Sequence, residues 1–203
     1  MSDDNLFPEN FTVSKVMREE QSGHKGVLLW FTGFSGSGKS TISQALELRL
    51  YELGIRTYIL DGDNIRKGLN KDLGFSLDDR HENIRRIGEV GRLFSDAGIL
   101  TMAAFISPLR EDRNLVRKLF KAGDFIEIWV RSSLECCESR DVKGLYKRAR
   151  AGEIEDFTGI SSPYQPPAEP EIIVDSEKYS VDECVNDIIA FLLTKGIIRD
   201  SRL

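Results

Sequence analysis

Val27-Leu28-Leu29-Trp30-Phe31-Thr32-Gly33-Phe34-Ser35-Gly36-Ser37-Gly38-Lys39-Ser40 decides the architecture. Its first six residues carry no charge and read as a buried strand. The next eight fit Gly, any four, Gly-Lys-Ser, and Thr41–Leu53 continues with Ile42, Ala45, Leu46, Leu50 and Leu53 at helical spacing. A strand running into a glycine-rich loop that opens a helix is the context in which this P-loop pattern cradles phosphate. Glycines let backbone N–H groups turn inward around phosphate oxygens, and the helix start adds its positive dipole end. Lys39 supplies a point charge to the outer phosphates and the Ser40 hydroxyl a ligand for Mg²⁺. As a loop lysine, Lys39 is expected to be exposed and to bury nothing.

Outward from that stretch, short apolar runs alternate with helical ones. Strands are expected at Arg56–Leu60, Ile99–Ile106, Phe125–Val130 and Glu171–Val174, making five with Val27–Thr32. Helices are expected at Asp79–Ala97, Glu111–Lys121, Leu134–Ser139 and Val181–Lys195. This order implies an α/β protein, a central parallel sheet with helices on both faces, in one domain. Residues 1–25 stand apart as an arm, with Phe11, Val13, Val16 and Met17 expected to dock a short helix on the body. Phe157–Pro170, holding four prolines, is an irregular flap rather than filler.

The 203 residues carry 28 Lys and Arg against 33 Asp and Glu, a net charge of −5, which disfavours nucleic acid as a partner. No apolar run is long enough for a membrane span. The acidic start Met1-Ser2-Asp3-Asp4 does not resemble a signal peptide, and three cysteines form neither a disulfide framework nor a metal spacing; a cytoplasmic location is expected.

Four further segments carry candidate chemistry, each beside a plainer reading. Asp61 and Asp63, in Leu60-Asp61-Gly62-Asp63-Asn64-Ile65-Arg66, lie at the carboxyl end of a strand, where they can serve Mg²⁺ or take a hydroxyl proton; they also suit a turn and helix cap. Arg80 and Asn83, three apart and off the apolar stripe, share a face that is cleft or merely solvated. Ser107-Pro108 reads as a helix start, Ser107 at the cap and Pro108 at the first helical position, bordering the cleft. Arg140–Arg150 carries five basic residues and one acid, a mobile cationic lid or a solvated basic helix.

Taken with Gly68-Leu69-Asn70-Lys71-Asp72-Leu73-Gly74-Phe75, Asp79–Arg86, Phe105-Ile106-Ser107-Pro108, Asp141-Val142-Lys143-Gly144-Leu145-Tyr146 and Phe157-Thr158-Gly159-Ile160, these segments make the chain from about Gly26 to Gly196 resemble the adenylylsulfate kinases. The resemblance implies a three-layer P-loop kinase fold over 26–203, with a lid at about 140–160, and a reaction in which MgATP phosphorylates the 3′-hydroxyl of adenosine 5′-phosphosulfate (APS) to give 3′-phosphoadenylyl sulfate in sulfate assimilation. It implies ATP contacts along Gly33, Phe34, Ser35, Gly36, Ser37, Gly38, Lys39, Ser40 and Thr41, with Arg140 near the base. It implies an APS adenine between Phe75 and Phe157, with Arg66, Arg80, Asn83, Ile106, Ser107, Lys143 and Asp63 around the rest. Lys39, Asp61, Asp63 and Ser107 are the implied catalytic set, Asp61 and Asp63 forming the acidic pair that handles Mg²⁺, directly or through water, and the substrate hydroxyl, with the two jobs left undivided; the family's serine at Ser107 is described as a phosphorylated intermediate. Direct in-line transfer is the expectation here, because P-loop kinases gain most from positioning and charge stabilisation. A homodimer is expected through the N-terminal arm. The rival enzymatic reading is a kinase of a sugar acid or nucleoside, which needs no pair of stacking rings; a nucleotide switch without turnover is the rival from another class.

Overall fold

Leu28–Thr32 (β1) is buried at every residue, and that follows from its place at the centre of a five-stranded parallel sheet ordered β2-β3-β1-β4-β5. The computed structural model describes Phe7, Glu9 and residues 11–199. The other strands are Thr57–Asp61 (β2), Leu100–Ala104 (β3), Phe125–Arg131 (β4) and Ile172–Asp175 (β5). Side chains of a strand point alternately to opposite faces. Accordingly Leu29 and Phe31 join Ile42, Leu46, Leu50, Ile188 and Leu192 in one core, and Leu28 and Trp30 join Ile84, Ile87 and Val116 in another. Those partners come from Lys39–Glu52 (α2) and Val181–Thr194 (α8) on the first face, and from Leu77–Asp96 (α4) and Arg110–Arg117 (α5) on the second. Three layers result, as the sequence implies. Gly91 lets α4 lie close to β1, since a Cβ there would meet Leu28 Cδ2 at 2.8 Å.

The chain leaves β1 for β2 on one side and later crosses to β4 on the other. Such a switch opens a crevice at the carboxyl ends of the strands. Most elements that follow a strand there begin with a group suited to anions or to capping. Gly38, in the left-handed region at φ 95°, turns β1 into α2. Asp61 caps Gly62–Lys67 (α3), accepting from Asp63 N and Asn64 N. Six residues behind an Asp-Gly turn show no periodicity, so α3 escaped the sequence reading. Leu134–Arg140 (α6) and Leu145–Arg150 (α7) form the basic stretch as two short helices.

Two expectations fail. Lys15–Ser22 (α1) does form in the arm, but Phe11, Val13, Val16 and Met17 face outward and do not dock it. Polar groups do: Lys15 Nζ meets Asp124 at 2.8 Å and donates to Ser95 Oγ, Arg18 reaches Asp96, and Glu19 accepts from Gly26 N. Ser107 caps no helix, because α5 starts at Arg110 with Leu109 at its cap position. The remaining arm residues, 1–6, 8 and 10, lie outside the described residues.

Candidate active site

Lys39 is the first residue of α2 and is buried, contrary to the expectation of an exposed loop lysine. Its Nζ donates to the Gly33 and Phe34 carbonyls at 2.9 and 2.6 Å. Burial pushes its pKa down to about 8, against the pull of Cys137 and with help from the Lys143 charge. The loop around it is braced from outside. Tyr146 on α7 donates to Ser35 O at 2.9 Å, Arg140 on α6 bridges Gly36 O and Ser176 O, and Ser176 Oγ donates to Ser37 O at 2.7 Å. Tyr164 of the flap packs on Phe34 with ring centres 4.8 Å apart and shares a hydrogen bond with Thr32. Burial raises the phenols of Tyr146 and Tyr164, the latter to about 12, so both stay neutral. Neither Tyr146, Ser176 nor Tyr164 was singled out from sequence; their roles rest on contacts across more than a hundred residues, for which local pattern carries no signal.

The two aspartates have different surroundings. Asp61 spends Oδ1 on the cap of α3 and turns Oδ2 toward Ser40 Oγ at 3.4 Å. The two are hard oxygen donors side by side at the end of the phosphate loop, the donor type that suits Mg²⁺. Among the described residues no group of three His, Cys, Asp or Glu side chains gathers, so the remaining ligands would be phosphate and water. Asp63, exposed in the first turn of α3, meets Lys143 Nζ at 2.6 Å. That contact raises the Lys143 pKa.

On the far side of the crevice the 68–75 turn is clamped to its neighbours. Arg86 forks onto Asp72 at 2.8 and 2.9 Å, and Arg66 donates to Leu73 O and Gly74 O. The Arg66 guanidinium also lies 4.5 Å from the Phe75 ring centre; burial, then the Arg80 charge, lowers its pKa. Arg80 donates to Phe75 O and to Asp156 O, both at 2.8 Å. One side chain thereby ties together the two segments that carry Phe75 and Phe157. Phe75 is 67% exposed, whereas Phe157 is 8% exposed and set edge-on to Tyr146. A cavity of about 250 Å³ opens beside Arg80, Leu77, Pro108 and Asp156.

Asn83 does not lie off the apolar stripe: it is buried next to Ile84, and its Oδ1 accepts from Asn70 Nδ2 at 3.0 Å. Ile106 is half-buried. Ser107 sits at φ 39°, 2% exposed, its Oγ accepting from Trp30 Nε1 at 3.0 Å and its carbonyl from Arg113 at 2.6 Å. Arg113, itself buried, is held by Glu127 at 2.6 Å and donates also to Gln165 O, so one ion pair fixes both the Ser107 turn and the flap. Arg113 too was missed from sequence, being one of several charges along α5.

A braced phosphate loop, a carboxylate facing its serine, and a second wall carrying Arg66 and Arg80 across one crevice define a P-loop kinase. Residues 25–175 match the family described as adenylylsulphate kinase. A curated adenylyl-sulfate kinase of Staphylococcus carnosus is 60% identical over 92% of this chain and 94% of its own. The structure of the Mycobacterium tuberculosis APS kinase CysC, solved with AMPPNP and APS, superposes with a TM-score of 0.80 at 50% identity, covering 83% of this chain and 98% of that one. The hexameric APS kinase from Thiobacillus denitrificans superposes with a TM-score of 0.68 at 32% identity, covering 91% of this chain and 32% of that one. The chain belongs to the adenylylsulphate kinase family, and its activity is ATP-dependent phosphorylation of APS.

Proposed function

We propose that ATP lies on Gly33–Thr41 with Arg140 beside its base end, that APS lies between Phe75 and Phe157, and that the γ-phosphoryl group passes in line to the APS 3′-hydroxyl, giving 3′-phosphoadenylyl sulfate and ADP. The observation that carries this division is the separation of the two carboxylates, Asp61 against Ser40 and Asp63 against Lys143. Asp61 then serves the metal through water, and Asp63 takes the proton of the attacking hydroxyl. Ser40 and Asp61 would hold Mg²⁺, which would supply charge neutralisation for the phosphates. Lys39 exchanges its two carbonyl partners for phosphate oxygens, and Lys143 leaves Asp63 as the substrate hydroxyl arrives, moving its charge toward the migrating group.

Arg66 and Arg80 meet the phosphosulfate and ribose end, with Asn83, Ile106 and Ser107 forming the floor. Ser107 acts as a pocket residue: its hydroxyl is already an acceptor for the Trp30 indole and is buried, which leaves no open path for it to receive a phosphoryl group. Assembly as a homodimer is supported by the outward apolar set Phe11, Val13, Val16 and Met17 on the arm. A cytoplasmic location is supported by three free cysteines, and no helix among the described residues is long and apolar enough to cross a membrane.

The experiment is coupled ADP release with MgATP against a panel of APS, AMP, adenosine and gluconate. Turnover with APS at least a hundredfold above the other three is expected. Equal turnover with AMP would mean that Arg66 and Arg80 do not read the phosphosulfate.

A further inference from the structure

The geometry points to Asn70 as a positioning residue that sets the polarity of Asn83 toward the acceptor substrate. This deepens the reading above and rests on Asn83 touching APS. Asn70 follows α3 and is wholly buried. Its backbone N–H donates to Ile65 O at 3.0 Å and its carbonyl accepts from Leu73 N at 3.1 Å, so it sits inside the turn that Arg66 and Arg86 clamp. The side chain has little freedom of its own, and its Nδ2 donates to Asn83 Oδ1 at 3.0 Å.

An amide has one acceptor end and one donor end. With its oxygen engaged by Asn70, Asn83 keeps only N–H groups for any other partner, and it makes no other hydrogen bond among the described residues. Arg80 stands one turn earlier on the same helix face, so these N–H groups join its guanidinium in facing an anionic ligand. The reverse pairing, with both amides turned over, would leave two Asn70 N–H groups buried without partners and aim the Asn83 oxygen at the same anion. The pairing observed leaves a single buried acceptor, Asn70 Oδ1, without a partner. A buried acceptor left without a partner is the smaller defect, because buried carbonyl oxygens go under-satisfied in native structures more often than buried N–H groups do. The sequence alone gives no hint of this: Asn70 lies in a Gly-Leu-Asn turn where asparagine is ordinary.

The test is a double-mutant cycle of Asn70→Ala, Asn83→Ala and the pair, read as KM for APS, KM for ATP and thermal midpoint. Asn83→Ala should raise KM for APS by about tenfold or more, the scale of a lost donor to an anion. Asn70→Ala should raise KM for APS several-fold with KM for ATP within about twofold, and in the Asn83→Ala background it should add nothing. If Asn83→Ala leaves KM for APS unchanged, the reading of Asn83 as a substrate contact fails. If Asn83→Ala acts but Asn70→Ala does not, or if the two effects add, Asn70 does not work through Asn83. Should Asn70→Ala be too unstable to assay, Asn70→Ser, which keeps a short donor, takes its place; it should retain more APS affinity than Asn70→Gly, and equal losses would overturn the inference.

Discussion

Nucleotide binding should be coupled to proton uptake at Lys39. Its ammonium is buried against two carbonyls and titrates at about 8 instead of 10.5. Polyphosphate on the loop places several negative charges beside it and restores the charged form over the whole neutral range. With a starting value near 8, Lys39 is roughly nine-tenths protonated at pH 7, half at pH 8 and one-tenth at pH 9, so binding takes up about 0.1, 0.5 and 0.9 proton respectively. Calorimetry in buffers of different ionisation enthalpy counts these protons directly. Apparent ATP affinity should weaken toward tenfold per pH unit above 8. Lys39→Met should abolish both the uptake and the turnover. The stability of the unbound protein follows the same linkage. Because the folded pKa lies below the unfolded one, the unfolded chain holds more protons between pH 8 and 10.5, and stability rises with pH across that window. Below it, the buried charge costs the fold on the order of 3 kcal/mol, at about 1.36 kcal/mol per pH unit. Lys39→Met relieves that cost while losing two charge-assisted hydrogen bonds of ~1.5–3 kcal/mol each, so it should still fold, with a midpoint at or a little below the parent's. A binding enthalpy independent of buffer at pH 8 and pH 9 would refute the reasoning.

Arg80→Ala should weaken APS by more than tenfold and ATP by less than about twofold, because its lost partners are the Phe75 and Asp156 carbonyls on the acceptor side; steady-state KM values decide it, and equal losses would contradict the division of the crevice. Phe75→Ala should keep the thermal midpoint and weaken APS by ~1–3 kcal/mol, the scale of base stacking on an aromatic ring, whereas Phe157→Ala should lose stability as well, its ring being buried. Ser107→Ala should retain substantial turnover and show no labelled phosphoenzyme with γ-labelled ATP; loss of all activity with both nucleotides still bound would restore the serine as intermediate. Asp61→Asn and Asp63→Asn should separate, the first shifting the Mg²⁺ requirement upward and the second lowering kcat at unchanged metal dependence.

What the sequence discloses and what it hides divide along the range of the interactions involved. The phosphate loop is legible because its glycines are required locally, and the central strand is legible because a strand buried on both faces carries no charge, as Leu28–Thr32 does not. Helix ends stray by a few residues, and α3 vanishes, because a capped single turn and a half leaves no periodic trace. Lys39 was misjudged for a physical reason: the residue type predicts exposure, but Tyr146, Arg140 and Ser176 close the loop from segments a hundred or more residues away. Ser107-Pro108 imitates a helix start in sequence, yet Arg113 draws the Ser107 carbonyl inward and the helix begins two residues after the proline. The arm inverts the usual rule, docking through Lys15, Arg18 and Glu19 while its apolar residues face out.

How a chain of net charge −5 handles two polyanions follows from the same contacts. Each cation of the crevice already has a partner within the chain: Lys39 the Gly33 and Phe34 carbonyls, Lys143 the Asp63 carboxylate, Arg66 the Leu73 and Gly74 carbonyls, Arg80 the Phe75 and Asp156 carbonyls. Neutral carbonyls orient a cation without cancelling its charge, so three of the four present their field to the crevice in a fixed direction. Ordering these side chains is then settled on folding, and a phosphate or sulfate oxygen displaces a carbonyl at little further entropic cost. Lys143 is the exception, its charge cancelled by Asp63 at 2.6 Å. On the division of the crevice proposed above, the binding cations are thus preorganised while Lys143 is released by the acceptor itself, which is the order in-line transfer needs if water is not to receive the phosphoryl group first.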